Sequence, residues 1–163
     1  MQPTVDPNVV LYGLTVKDLL IGGGWFFTIA GWFVSNAQAN TREKRKEVRA
    51  EIEACIKLLA DMLVKSRIYF GDSCLALTEK SRAAEIRFDL QRLLTRVERL
   101  EGRYAAFDVI NACGELMDSV SGDPFESAKR PVLSPDSDFM AKIESDIHTL
   151  IDQLESGFSK AFK

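Results

Sequence analysis

The sequence holds few of the side chains on which enzyme and metal chemistry depends. It has one histidine, His148, and no cysteine or second histidine lies at ligand spacing in the same segment. This argues against a zinc site. No G-x-S-x-G, P-loop or C-x-x-C motif is present, and Ser-His-Asp chemistry would rest on His148 alone. We therefore predict a protein without enzymatic activity, bound metal or cofactor. The three cysteines, Cys55, Cys74 and Cys113, are widely spaced and are expected to be free thiols.

Charge is absent from one long stretch of the chain. Residues 19–35, with the sequence LLIGGGWFFTIAGWFVS, contain no charged side chain. One bilayer crossing needs about 20 predominantly apolar residues, in a range of about 17–25. The stretch reaches that length when residues 36–39 lie in the headgroup region. It predicts a transmembrane helix over residues 18–38, after a short tail at residues 1–17.

Two other interpretations of this stretch stay open. Ala37-Gln38-Ala39 has the A-x-A form of a signal-peptide cleavage site. Against cleavage, the preceding segment has no net positive charge, and a basic run just after the cut would hinder export. A buried core helix is the other alternative, although 17 uncharged residues in a row are unusual in one.

A basic cluster follows the stretch and predicts its orientation. Lys/Arg excess stays on the cytoplasmic side of a membrane, so the N-terminus should face outward and residues 39–163 should face the cytoplasm. Near an anionic leaflet each such charge contributes about 1 kcal/mol, which makes membrane lipid the expected partner; a specific headgroup or nucleic-acid site is the alternative. The basic cluster consists of Arg42, Lys44, Arg45, Lys46 and Arg49.

Small residues recur on one face of the predicted span. Gly24, Thr28, Gly31 and Ser35 follow a +4, +3, +4 spacing, and we name them the small-residue stripe. In lipid, such a stripe lets helix backbones approach and associate. It therefore predicts a homo-oligomer in which Thr28 and Ser35 line a central path. The alternative is that glycine is simply common in membrane helices.

The remainder predicts an all-α fold, a helical bundle of about four helices at residues 39–163. Between Gly31 and Gly71 there is neither glycine nor proline, so one helix should run to about residue 70. Apolar residues then recur at helical spacing in each predicted helix, and no segment has the pattern of a strand. The seam of the first of these helices is Val48, Ile52, Cys55, Leu59, Met62, Ser66 and Tyr69.

Four arginines form a second basic feature, which we name the arginine stripe. Arg92, Arg96, Arg99 and Arg103 lie on one helical face with few acids at i±3 or i±4. Like charges at this spacing repel, so other groups should neutralise them. The charge asymmetry favours partners within the chain, because residues 41–103 carry +4 and residues 104–163 carry −6. A neighbouring subunit and an anionic ligand such as a nucleotide or RNA are the alternatives. The internal candidates are Glu144, Asp146, Asp152 and Glu155, or Asp108, Glu115 and Asp118.

One span at residues 19–35, a basic exit at residues 42–49 and an all-helical remainder resemble small single-pass bacterial membrane proteins of anti-phage defence. The membrane accessory proteins of RNA-targeting CRISPR systems have this outline, with a degenerate HEPN-like bundle and assembly into membrane pores. HEPN ribonucleases use an Arg-x(4–6)-His motif, whereas the permitted positions before His148 hold Ala141, Lys142 and Ile143. The resemblance implies a non-enzymatic oligomer that perturbs the inner membrane during infection.

Three hypotheses follow for the function. The first is an oligomeric inner-membrane protein that forms a pore or depolarises the membrane. The second is a monomeric or dimeric membrane tether that recruits a cytoplasmic protein. The third is a ligand-gated sensor that binds an anionic ligand through the arginine stripe.

Overall fold

A computed structural model describes the backbone of residues 9–11, 14–73, 78–127 and 129–163, with side chains from Gly24 onward in these ranges. The chain divides into two compact units, Met1–Lys44 and Arg45–Lys163. Four helices account for most of the described residues, α1 (Val16–Gly71), α2 (Glu79–Arg103), α3 (Ile110–Ser121) and α4 (Asp138–Ala161). The predicted helical bundle is therefore confirmed.

The first unit begins with two short strands that the sequence did not predict. β1 (Val9–Leu11) and β2 (Leu14–Thr15) pair in antiparallel fashion, with Val9 opposite Thr15 and Leu11 opposite Leu14. β-branched residues such as Val9, Val10 and Thr15 favour extended backbone, which explains pairing over so few residues. The prediction of a tail without strands is wrong here.

The first part of α1 contains the predicted transmembrane helix. Among the side chains that the structure describes, no helix is both long enough and apolar enough to cross a membrane. Residues 18–23 of the predicted span lie outside those described side chains. The membrane crossing over residues 18–38 therefore stays a prediction.

The second unit is a four-helix bundle with one core. All seven predicted seam residues of α1, from Val48 to Tyr69, are buried. α2 likewise buries apolar residues that recur at helical spacing, since Ile86, Leu90 and Leu93 are at most 3% exposed. The 3.6-residue period of these apolar positions gives each helix one buried face, and burial of that face holds the bundle together.

Ion pairs and contacts establish the order of the helices around the bundle. α1 pairs with α2 through Lys65–Asp89 (2.6 Å) and Glu51–Arg96 (2.9 Å), so these helices run antiparallel. α1 also pairs with α4 through Arg67–Glu144 and Arg49–Glu155, and the order of these pairs again makes the helices antiparallel. α3 packs against both α2 and α4. The helices therefore follow one another around the bundle in chain order, each antiparallel to the next.

A loop over residues 122–137 closes the end of the bundle where α1 finishes. The Leu133 N–H donates to the Phe70 carbonyl (2.9 Å), and the Glu126 N–H donates to the Tyr69 hydroxyl (3.0 Å). The ring of Phe125 lies 5.2 Å from that of Tyr69. The loop thus satisfies a carbonyl that a helix C-terminus leaves without a partner.

At the opposite end, Phe107 packs directly on Gly157 of α4. A Cβ added at Gly157 would lie 2.5 Å from Phe107 Cδ1 and 2.9 Å from two further ring atoms. Phe107 is 2% exposed and therefore has little space into which it could move. Glycine is needed here because a helix and an aromatic ring approach closely.

We expect Gly157→Ala to destabilise the bundle. Overpacking a core typically costs about 1–3 kcal/mol, which exceeds the gain in helix propensity of up to about 1 kcal/mol. Urea unfolding of the full chain, followed by far-UV circular dichroism, measures the difference. Gly114→Ala is the control, because a Cβ at Gly114 meets nothing within 4 Å, and it should leave stability equal or higher. Equal midpoints for Gly157→Ala and wild type would contradict the close packing.

Candidate functional site

The most exposed apolar surface of the described chain lies in the first unit, on α1. Seven bulky side chains between residues 25 and 34 are 52–76% exposed, which we name the aromatic segment. They are Trp25, Phe26, Phe27, Ile29, Trp32, Phe33 and Val34. Isolated exposed apolar residues are ordinary, whereas a contiguous patch marks a surface that meets another apolar phase or partner.

The small-residue stripe occupies the remaining arc of the same helix. At 3.6 residues per turn, the aromatic segment covers roughly 220° of the helix surface and the stripe lies in the rest. A Cβ added at Gly24 or Gly31 would meet nothing within 4 Å. The Thr28 hydroxyl donates to the Gly24 carbonyl at 2.9 Å, so its hydrogen is engaged within the helix while its oxygen can still accept a bond. Ser35 is exposed.

The residues of the basic cluster belong to both units, and they differ in whether they are exposed or paired. Arg42 and Lys44 are exposed residues of the first unit, and Lys46 is an exposed residue of the second. Arg49 instead bonds to Glu155 (2.6 Å) and Glu53 (3.2 Å), and the bond to Glu155 is the main cause of a raised pKa of its guanidinium. Arg45 and Arg49 also lie over the ring of Phe158, at 5.7 and 5.6 Å from its centroid. Arg49 therefore ties α1 to α4.

The arginine stripe finds acidic partners on α1, which was not among the predicted positions. Arg96 lies 2.9 Å from Glu51, Arg99 lies 4.0 Å from the same carboxylate oxygen, and Arg103 lies 3.0 Å from Glu47. The prediction that the last helix or the α3 region supplies the partners is wrong. The stripe faces the neighbouring antiparallel helix, and α1 is that neighbour.

The pairing leaves the stripe with excess positive charge. Arg92 reaches only Asp89, at 3.9 Å, and Asp89 already accepts a 2.6 Å bond from Lys65 that raises the pKa of the lysine. Glu51 serves two arginines. Arg92, Arg99 and Arg103 remain about half exposed, at 48%, 54% and 56%.

Two surface cavities of about 280 Å³ each adjoin Arg92 and Arg96. One lies between α1 and α2 and is also lined by Lys57 and Asp61. The other lies on α2 and is also lined by Phe88 and Arg99. The arginine stripe therefore forms the wall of a surface groove rather than a closed pocket.

One structurally important side chain that sequence reasoning missed is Arg130, which is 1% exposed. Its Nη1 donates to the Tyr69 carbonyl at 2.6 Å, and its Nη2 lies 3.4 Å from Glu79 at the start of α2. The guanidinium carbon lies 4.2 Å from the centroid of the Tyr69 ring. A cation at a helix C-terminus is favourable, so Arg130 joins the end of α1, the start of α2 and the closing loop.

A polar cluster between α3 and α4 contains a serine, a lysine and an aspartate. Lys142 donates to the Ser119 hydroxyl at 2.7 Å, and that hydroxyl donates to Asp146. Nucleophilic serines need an accessible oxygen and a basic neighbour that takes their proton. Ser119 is 6% exposed, and its hydroxyl proton is directed to Asp146. The arrangement therefore bridges two helices.

Metal and thiol chemistry find little support in the part of the chain that the structure describes. These residues contain no group of three or more His, Cys, Asp or Glu side chains that could hold a metal ion. Cys55 and Cys113 are free and buried, and burial raises the pKa of each thiol to about 11. Such thiols are protonated and unreactive near neutral pH. Cys74 lies outside the described residues, and His148 is exposed.

Comparison with known proteins assigns no family to these features. The chain matches no family model, no curated protein and no solved structure.

We expect Arg130→Met to destabilise the bundle by about 2–4 kcal/mol. The substitution leaves the Tyr69 carbonyl and Glu79 without their cation, and the penalty for an unsatisfied buried group falls in this range. Urea unfolding of the full chain measures it. Lys129→Met is the control, because Lys129 is exposed and next in sequence, and its effect should stay within about 0.5 kcal/mol. Similar midpoints for the two variants would contradict the structural role of Arg130.

Proposed function

We propose that the protein is a membrane-anchored homo-oligomer that opens a path across the bacterial inner membrane. The first unit would anchor the chain and associate with copies of itself, and the second unit would lie in the cytoplasm. The resemblance to membrane accessory proteins of RNA-targeting CRISPR systems adds anti-phage defence as the proposed setting.

The aromatic segment is the observation that carries this proposal. Trp25, Phe26 and Phe27 are consecutive, so they point about 100° apart around the helix and cannot all face one protein groove. Lipid surrounds a helix from every direction and accepts such a distribution. Tryptophan also suits the interface between lipid and water. The basic cluster that follows is appropriate for the cytoplasmic side of the same membrane.

The small-residue stripe supports the oligomer. Its glycines have open space beyond the Cα atom, which lets a second backbone approach to van der Waals distance. An assembly through this stripe would direct the oxygens of Thr28 and Ser35 toward its centre. The principal alternative is a tether, which the separate core of the second unit favours; it predicts a monomer or dimer in detergent.

Membrane anchoring is tested with an arginine in the aromatic segment. Ile29→Arg should move the full chain from the membrane fraction to the soluble fraction, because an arginine at the centre of a span costs about 2.5–3.5 kcal/mol. Carbonate extraction of membranes from expressing cells, with immunoblotting of both fractions, measures the change.

Val64→Arg is the matched control for anchoring. Val64 lies on the same helix within the second unit and is 56% exposed, compared with 52% for Ile29. It should leave the protein in the membrane fraction. Wild type in the soluble fraction, or equal fractionation of wild type and Ile29→Arg, would refute the anchor.

Assembly into a conducting path is tested at Gly31. A Cβ added at Gly31 meets nothing within 4 Å, so we expect Gly31→Leu to fill the stripe, remain in the membrane and abolish leakage. Dye uptake or membrane potential in expressing cells is the readout. Ala30→Leu is the control, since Ala30 lies on the arc of the aromatic segment and should retain leakage. Equal leakage from wild type and Gly31→Leu, or leakage from neither, would count against the pore.

A further inference from the structure

The second unit carries an excess of positive charge along the groove between α1 and α2. Two cavities adjoin it, one between the two helices and one on α2. Their basic residues are Lys57, Arg92, Arg96 and Arg99, and Asp61 is the only acid that lines either. Arg96 is held by Glu51, while Arg92 and Arg99 have carboxylates only at 3.9 and 4.0 Å. Both of those carboxylates have a closer cation, so Arg92 and Arg99 retain unused hydrogen-bond donors. We name this surface the basic groove.

A different side of the same unit is acidic. Between Tyr104 and Lys129 the sequence contains five acidic residues and no basic one. Asp108, Glu115 and Asp118 of this region are exposed, and within the described residues none of the three takes part in an ion pair. They precede α3 or lie on its outer face, and we name them the acidic edge. Because α3 is diagonal to α1 in the bundle, the acidic edge and the basic groove face different directions.

The two surfaces lie at matching levels along the bundle. Ser119 bonds to Asp146 on α4, Glu144 of α4 pairs with Arg67 of α1, and Lys65 of α1 pairs with Asp89 of α2. These bonds form one layer across all four helices. On α2, Arg92 follows Asp89 of this layer by three residues. On α3, Glu115 precedes Ser119 of this layer by four residues. Because α2 and α3 are antiparallel, Arg92 and Glu115 are both displaced from the layer toward the same end of the bundle, by about 5 Å.

A second pair of opposite charges lies farther from the layer than Arg92 and Glu115. Arg99 follows Arg92 by seven residues, or about 10.5 Å of helix. Asp108 precedes Glu115 by seven residues in sequence and lies in the connection between α2 and α3, two residues before α3 begins. Two positive positions on one surface therefore have two negative counterparts, in the same order, on another surface.

We propose that the basic groove of one copy binds the acidic edge of the next copy, with Arg92 opposite Glu115 and Arg99 near Asp108. This inference rests on the self-association proposed above and assigns it a second contact, in the second unit. The contact joins two different surfaces, so it is heterologous, and it gives a ring where the rotation between copies closes and an open filament where it does not. A second copy accounts for both surfaces, whereas a phosphate ligand in the groove would leave the acidic edge without a role.

Charge reversal in the full chain in detergent tests this contact. Arg92→Glu with Arg99→Glu reverses the groove, and Asp108→Arg with Glu115→Arg reverses the edge. Each double variant should lower the measured mass from that of the wild-type assembly, because like charges now face each other. The quadruple variant, and an equimolar mixture of the two double variants, should recover the assembly. Mass photometry at low ionic strength is the measurement.

The controls separate this contact from folding and from net charge. Lys80→Glu with Lys129→Glu changes the net charge as the groove reversal does, at exposed positions outside both surfaces, and should retain the wild-type mass. Far-UV circular dichroism confirms that each variant is folded. The wild-type assembly should also weaken as salt rises, since exposed charges are screened beyond about 10 Å at 0.1 M.

The outcomes distinguish this inference from the proposed function. A wild-type monomer refutes self-association, and the present contact with it. A wild-type oligomer that both reversals leave intact, or that neither the quadruple variant nor the mixture recovers, overturns the contact alone. Recovery by the mixture supports it directly, because only complementary surfaces on separate copies can restore the mass.

Discussion

The aromatic segment places the strongest constraint on this chain. Fully burying one large apolar side chain is worth about 1.5–3 kcal/mol, and seven of them lie 52–76% exposed within ten residues of α1. Leaving all of them in water would forgo on the order of 10 kcal/mol. This is comparable to the whole stability of an ordinary domain, about 5–15 kcal/mol. An apolar environment around this part of α1, as the proposed anchor would provide, would recover that free energy.

The second unit is held by its apolar seams, and its ion pairs mainly determine how the helices align. Two of the pairs between α1 and α4, Arg49–Glu155 and Arg67–Glu144, have both side chains about 40% exposed, and exposed pairs contribute about 0–1 kcal/mol each. Their main effect is on the position of each helix along its axis relative to its neighbour. Arg130 differs, because it is buried and joins the Tyr69 carbonyl to Glu79. A buried cation of this kind is costly to remove.

The features that the sequence predicted well are periodic. The seams of α1 and α2 follow a 3.6-residue repeat, and burial follows directly from it. The helix boundaries were less predictable, because more than one short polar residue near a helix start can serve as the N-cap. Ser137 accepts from the Met140 N–H at the start of α4, while Ser134, another residue type that caps helices, lies outside the helix. Arg130 gave no periodic signal, since its partners lie about 50–60 residues away in sequence. The partners of the arginine stripe required knowledge of which helix lies beside α2.

Exposed ion pairs between copies would be too weak to hold an assembly of freely diffusing chains. Association costs an estimated 4–15 kcal/mol in lost translational and rotational freedom, and each exposed pair returns about 1 kcal/mol at most. The proposed anchoring would change this balance, because chains confined to one membrane would share an orientation and have a high effective concentration. The small-residue stripe and the paired charges of the second unit would then act together. Neither contact needs to be strong alone, and the directional character of the charged contact would limit how many copies join.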